Sequence, residues 1–210
     1  MVGMATGTGT YHQQLAEQKR AAIIAAATSL FLDNGYAGTS LARVAEAAEV
    51  SKATLFKQFP TKARLFESMV KEHWDPGDDE HPQPTPGDLG AGLAEYGRRY
   101  AALMSRPEMV GLYRIVIAEM PRFPALAETH FDVGKMPFFD SVRRYLAAEH
   151  DAGTARVDDP VAATSQFMGM ISNFTFWPRL TVVGWNPTDA ETARVVDDAV
   201  TTMVARYAAR

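Results

Sequence analysis

The chain has 210 residues, no cysteine and a formal net charge of −4, and 47% of its residues are hydrophobic. That apolar share excludes a disordered chain, and the missing cysteine excludes both a disulfide scaffold and thiolate zinc sites. The length fits one medium domain, or a small domain joined to a larger one.

The opening residues, MVGMATGTGTYHQQ, have neither the basic nor the apolar segment of a secretory leader. Residues 1–16 are therefore expected to be a disordered lead-in. From Glu17 to Asn34 the chain is alanine-rich, and Ile23, Ile24, Ala27, Leu30 and Phe31 form one apolar stripe. Asn34-Gly35 ends this first helix, and Tyr36 is expected to pack back on it. In TSLARVAEAAEV, Thr39 or Ser40 caps a short helix whose inner face is Leu41, Val44, Ala45 and Ala48. Ser51 caps another, with Leu55 and Phe59 inside, and Pro60 ends it. Thr61 opens a fourth helix that buries Leu65, Phe66, Met69 and Val70, with Trp74 near its end.

Residues 75–88, DPGDDEHPQPTPGD, hold four prolines and read as a linker loop. Long helical stretches follow at Leu89–Ser105, Pro107–Met120, Ala125–His150, Pro160–Trp177 and Thr188–Ala208. Pro107, Pro160 and Pro187 sit where helix starts tolerate proline, and Pro121, Pro124 and Pro178 mark breaks. The apolar run FMGMISNFTFW is interrupted by Ser172, Asn173 and Thr175 and is too short to span a membrane.

Two short helices joined by a three-to-four-residue turn suggest a helix-turn-helix, whose second helix enters the DNA major groove. The charge supports this. Val50–Phe66 contains Lys52, Lys57, Lys62 and Arg64 and no acid. Glu17–Trp74 has 8 basic and 6 acidic residues (+2), whereas Asp75–Arg210 has 13 and 19 (−6). Positive charge lies where a polyphosphate needs it, and the acidic remainder favours docking by one end.

Residues 19–72 resemble the DNA-binding domain of the TetR family of bacterial one-component regulators. The stretch AAIIAAATSLFLDNGYAGTSLARVAEAAEVSKATLFKQFPTKARLF carries the resemblance through Phe31, Gly35-Tyr36, Thr39-Ser40, Val44-Ala45, Val50-Ser51, Phe59 and Lys62. LYRIVIAEMPRFPALAETHF is similar to the regulatory domain of one subgroup. The resemblance implies an all-α homodimer: a three-helix DNA-binding domain at 17–74 joined through the linker to a ligand-binding and dimerisation domain at 89–210. It implies double-stranded DNA and a small-molecule effector as partners, no cofactor or metal, no enzymatic activity and a cytoplasmic location.

The same resemblance assigns DNA-contact roles. Thr39 and Ser40 start the second helix, where hydroxyls either cap it or also hold a phosphate. Lys52, Ala53 and Thr54 lead the third helix toward base edges; lysine donates to guanine, and the methyls of Ala53 or Thr54 meet a thymine methyl. Arg43, Lys57 and Lys62 are expected at phosphates. Two departures stand out. Phe56 occupies a position where the family carries a tyrosine, so it lacks the hydroxyl for a phosphate and packs on sugar, on a thymine methyl or in the core. Glu49 occupies a turn position where the family often has glycine, so an altered turn is expected there.

In the second half, Tyr100, Met104, Tyr113, Phe131, Phe139, Phe167, Met170 and Phe174 are expected to line an apolar effector cavity; the alternative is that such a Met and Phe stripe is ordinary core. Val196, Val200, Met203 and Tyr207 share one helix face, directed either at a second subunit or at the subunit's own core. An enzyme is disfavoured because no catalytic constellation is present: Glu128 and Asp132 flank His130, which points away from them on a helix. A helical interaction adaptor would not need the local +4. The reading is a ligand-responsive repressor that binds a palindromic operator as a dimer and is released by a small apolar or amphipathic effector.

Overall fold

The computed structural model describes residues 7–75 and 83–209, and among them the chain is all-α; Ala155 and Ala208 form one isolated bridge. The chain divides into two compact units. One comprises the residues up to Glu72 together with Ile115–His130; the other comprises His73–Arg114 and the residues from Phe131 onward. The expected division at the linker is thus only part of the organisation, because a segment of the second half clusters with the N-terminal helices. Its physical basis is the packing of Phe123 on Tyr36, with ring centroids 5.2 Å apart, and a Glu119 carboxylate bonded to the Ala37 amide.

The first unit begins with α1 (Gly7–Gly38). Residues 7–16, expected to be a disordered lead-in, are therefore helical; from Tyr11 on, Gln, Leu, Ala, Glu, Lys and Arg are nearly all strong helix formers. The remainder of that expectation, residues 1–6, lies outside the described residues. α1 buries Ile23, Ile24, Ala27 and Phe31. Gly35 then leaves helical geometry at φ 72°. Tyr36 turns back, with its ring 5.4 Å from Phe31 and 5.7 Å from Phe66.

Three short helices follow: α2 (Leu41–Ala47), α3 (Lys52–Gln58) and α4 (Lys62–Trp74). Ser40 caps α2 by accepting from the Arg43 amide, and Ser51 caps α3 by accepting from the Thr54 amide. Between them Glu49 sits at φ 54°, and the Val50 amide donates to the Ala45 carbonyl at 3.0 Å. The altered turn expected from Glu49 is not formed. The chain keeps the left-handed residue that glycine favours and carries a strain of about 1 kcal/mol. The C-terminal part of α6 (Pro107–Glu119) and α7 (Pro124–Thr129) complete this unit.

In the second unit α5 (Leu89–Ser105) packs against α8 (Met136–Asp151), α9 (Pro160–Thr175) and α11 (Asp189–Tyr207). Asp88, Asp159 and Thr188 cap α5, α9 and α11 through their side chains. The helix expected over Ala125–His150 is instead α7, a π-helical segment His130–Lys135, and α8. A short helix, α10 (Trp177–Thr181), follows α9. Gly97 permits close packing of α5: an added Cβ would lie 2.7 Å from Val196 and 3.2 Å from Phe167. At Gly92 an added Cβ would lie 2.0 Å from the Tyr145 hydroxyl, which donates to the Asp88 carbonyl and the Glu149 carboxylate. Glu149 is fully buried and also accepts from the Gly87 amide and the Thr154 hydroxyl, so it ties the chain entering α5 to the end of α8. Among the described residues no helix is long and apolar enough to cross a membrane.

Two stability predictions follow from these backbones. Glu49→Gly should raise stability by about 0.5–1 kcal/mol in denaturant unfolding, because it removes the left-handed strain while adding some chain entropy. Gly92→Ala should lower it by about 1–2 kcal/mol: the helix-propensity gain of about 1 kcal/mol is exceeded by expulsion of Tyr145 from a satisfied hydrogen-bond site.

Candidate nucleic-acid interface and ligand cavity

The helix-turn-helix directs two faces of α3 differently. Leu55 is buried, whereas Lys52, Ala53, Phe56 and Lys57 are exposed. These four recur at one helical face, and neither lysine has a carboxylate within ion-pair distance among the described residues. Phe56 is 48% exposed, so it is not a core aromatic. Thr54 is half-buried, and its hydroxyl lies 2.9 Å from that of Ser51, which engages it in the start of the helix. Arg43 is exposed on α2 and reaches the Gly38 carbonyl at 3.4 Å. The Ser40 side chain is exposed and occupied as the α2 cap.

Two expected phosphate contacts are placed otherwise. Thr39 is 2% exposed, and its hydroxyl lies 2.9 Å from the Leu30 carbonyl and 3.0 Å from the Gly35 carbonyl. It satisfies acceptors stranded where α1 ends. The Lys62 ammonium donates to the Tyr36 carbonyl at 2.6 Å and the Thr39 carbonyl at 2.9 Å, and stands 4.3 Å from the centre of the Tyr36 ring. Desolvation lowers its pKa, opposed by the field of Glu119. A lysine placed in this way holds the turn together. Sequence reasoning missed α1 as a neighbour of α3: Gln58 donates to the Ala16 carbonyl, and Lys19, Arg20 and Lys57 border one groove.

In the second unit a cavity of about 220 Å³ is lined by Tyr100, Tyr113 and Phe139, three of the eight expected residues. Met104 and Phe167 are instead fully buried core, because Gly97 lets α5 and α9 close around them. Phe174 packs edge-on against Trp185 at 5.4 Å, and Met170 is half-buried on α9 away from the cavity. Phe131 is 48% exposed, at the start of the π-helical segment. The remaining walls, unforeseen from the sequence, come from Met168, Phe176 and Trp177, with Lys135, Ser165 and Ser172 as polar members. Only Lys135, a lone cation in an apolar run, carried a signal that could have been read. Burial pushes the Tyr100 phenol up to about 12, against a hydrogen bond with Ser172, and burial raises Tyr113 as well; both hydroxyls stay protonated at neutral pH.

The stripe on α11 resolves toward the subunit's own core. Val196, Met203 and Tyr207 are buried within the single chain, and the Tyr207 hydroxyl donates to Gln166 on α9. Val200 is half-buried. Val196, Met203 and Tyr207 therefore turn their apolar surface to the subunit's own core, where α11 packs on α5 and α9, and Val200 does so only in part.

Comparison with known proteins agrees with this architecture. Residues 23–69 match the family described as bacterial regulatory proteins, tetR family, and residues 91–209 match the C-terminal domain of AefR-like transcriptional repressors. A solved TetR-family structure from Mesorhizobium loti is 28% identical with a TM-score of 0.78, covering 92% of this chain and 98% of that one. The flavonoid-responsive regulator FrrA is 29% identical with a TM-score of 0.72, covering 92% and 99%. The transcriptional activator FasR of Mycolicibacterium smegmatis is 30% identical over 59 residues, which span 28% of this chain and 27% of that protein. With a helix-turn-helix unit, a second helical unit holding a cavity, and matches across both, the chain belongs to the TetR family of bacterial transcriptional regulators.

Proposed function

We propose that the protein is a ligand-responsive transcriptional repressor that binds a palindromic duplex site as a homodimer and leaves it when a small molecule occupies the cavity of its second unit. The observation that carries the reading is the exposed face of α3: two lysines without carboxylate partners, Ala53 and an exposed phenylalanine, on a capped helix following a tight turn. Lysine donors suit guanine edges and phosphates, and apolar groups suit thymine methyls. Repression is supported by the likeness of residues 91–209 to AefR-like repressors. A second copy gives two recognition helices the spacing of one DNA turn.

Selection of a preferred site from random duplexes, followed by binding across salt concentrations, tests the reading; a protein with no preferred site and no salt dependence would overturn it. Lys52→Ala should lose about 1–3 kcal/mol on the selected site and less on random duplex. Lys57→Ala should weaken both alike and reduce the slope of log affinity against log salt by about one. Lys62→Met should leave that slope unchanged and lower the unfolding temperature. Unchanged stability with a reduced slope would return Lys62 to the phosphate contacts.

The homodimer has its own test. Sedimentation at micromolar concentration should give twice the 23.0 kDa chain mass. A monomer that still binds the full palindrome with undiminished affinity would remove the dimer from the proposal.

A further inference from the structure

Among the pockets of the second unit, the aromatic-walled cavity of about 220 Å³ has a composition that selects a ligand class. It is walled by five rings, from Tyr100, Tyr113, Phe139, Phe176 and Trp177. The Tyr113 ring lies 4.5 Å from Phe176 and 6.2 Å from Trp177, both tilted or edge-on, so flat faces remain for a further ring. The wall includes no aspartate or glutamate. It includes one cation, Lys135, which is half-buried and has no carboxylate within ion-pair distance among the described residues. Its ammonium lies 5.3 Å from the centre of the Phe131 ring. A partly desolvated ammonium beside aromatic walls, with no acid facing it, is a site for an anion. The hydroxyls of Ser172 and Tyr100 offer polar points among the rings.

Size narrows the class further. An apolar cavity of about 150 Å³ accommodates benzene, and water occupies about 30 Å³. The 220 Å³ here holds one ring with about 70 Å³ left over, enough for a carboxylate and a small substituent. We infer that the effector is a single-ring aromatic acid, held with its ring among Tyr113, Phe139 and Phe176 and its carboxylate on Lys135. This inference rests on the reading of the second unit as the ligand-sensing part. The placement of Lys135 depends on the π-helical segment, which ends at that residue and shifts it relative to an unbroken α-helix.

The test uses the full-length protein and titration calorimetry with 4-hydroxybenzoate, its uncharged counterpart 4-hydroxybenzyl alcohol, and a three-ring flavone. The acid should bind at least tenfold more tightly than the alcohol, and the flavone should bind more weakly than either. Lys135→Met should erase the preference for the acid, and Lys135→Arg should retain most of it. Gly169 borders the cavity, and an added Cβ there meets nothing within 4 Å, so Gly169→Leu should fold and block the acid. Circular dichroism of each variant controls for folding. Equal binding of acid and alcohol, indifference to Lys135→Met, or tightest binding by the flavone overturns the inference. Release of the selected duplex is measured separately. Lys135-dependent binding of the acid without release upholds the ligand class and removes its regulatory role. Release by the flavone with no binding of the acid removes the ligand class and leaves the regulator standing.

Discussion

The first unit depends on how α1 stops. At Gly35 the backbone enters the left-handed region, and five backbone groups around the exit, four carbonyls and one amide, find side-chain partners. Three side chains from different parts of the chain take them. Thr39 reaches back to the Leu30 and Gly35 carbonyls, Lys62 donates to the Tyr36 and Thr39 carbonyls, and Glu119 accepts from the Ala37 amide at 3.0 Å. A side chain on Gly35 would meet the Glu119 oxygen at 2.8 Å, so glycine is demanded twice, by φ and by space. Once the exit is fixed, Tyr36 seals it from above, Ser40 caps α2, and the turn at Glu49 sets the direction of α3. The exposed lysines of α3 are thus positioned by groups that lie on other elements of the first unit.

This arrangement explains which parts of the sequence were legible. Caps and breaks have local causes, so Ser40 and Ser51 announced their helices, and Gly35 announced the end of α1. The buried faces of the first four helices were also readable, from spacing alone. Partnership was not. Thr39 and Lys62 belong to residue types equally suited to a phosphate and to a stranded carbonyl, and only the fold around Tyr36 decides between them. Val196, Met203 and Tyr207 form a clean stripe, but spacing cannot say whether a stripe meets another subunit or the α5 of its own, where Gly97 has made room for it.

The cavity shows a further limit. Tyr100, Tyr113 and Phe139 were found because large rings are conspicuous. Met104 and Phe167 were indistinguishable from them by type, yet they fill the core. Lys135 was passed over because a helical register over 125–150 assumes 3.6 residues per turn throughout, and the π-helical segment breaks that register just ahead of α8. Residues 7–16 were misjudged for a different reason: Gly and Thr dominated the reading of the first residues, while the helix formers after them were strong enough to extend α1.

The division between the two units falls within α4, within α6 and at the start of the π-helical segment. On the second-unit side of these points lie Trp74, whose ring is 6.5 Å from that of Tyr113, then Tyr113 itself and Lys135. On the first-unit side, α6 ends at Glu119, whose carboxylate accepts from the Ala37 amide at 3.0 Å. Within that unit Glu119 therefore joins Thr39 and Lys62 as a third group, distant in sequence, that completes the exit of α1 on which the placement of α2 and α3 depends.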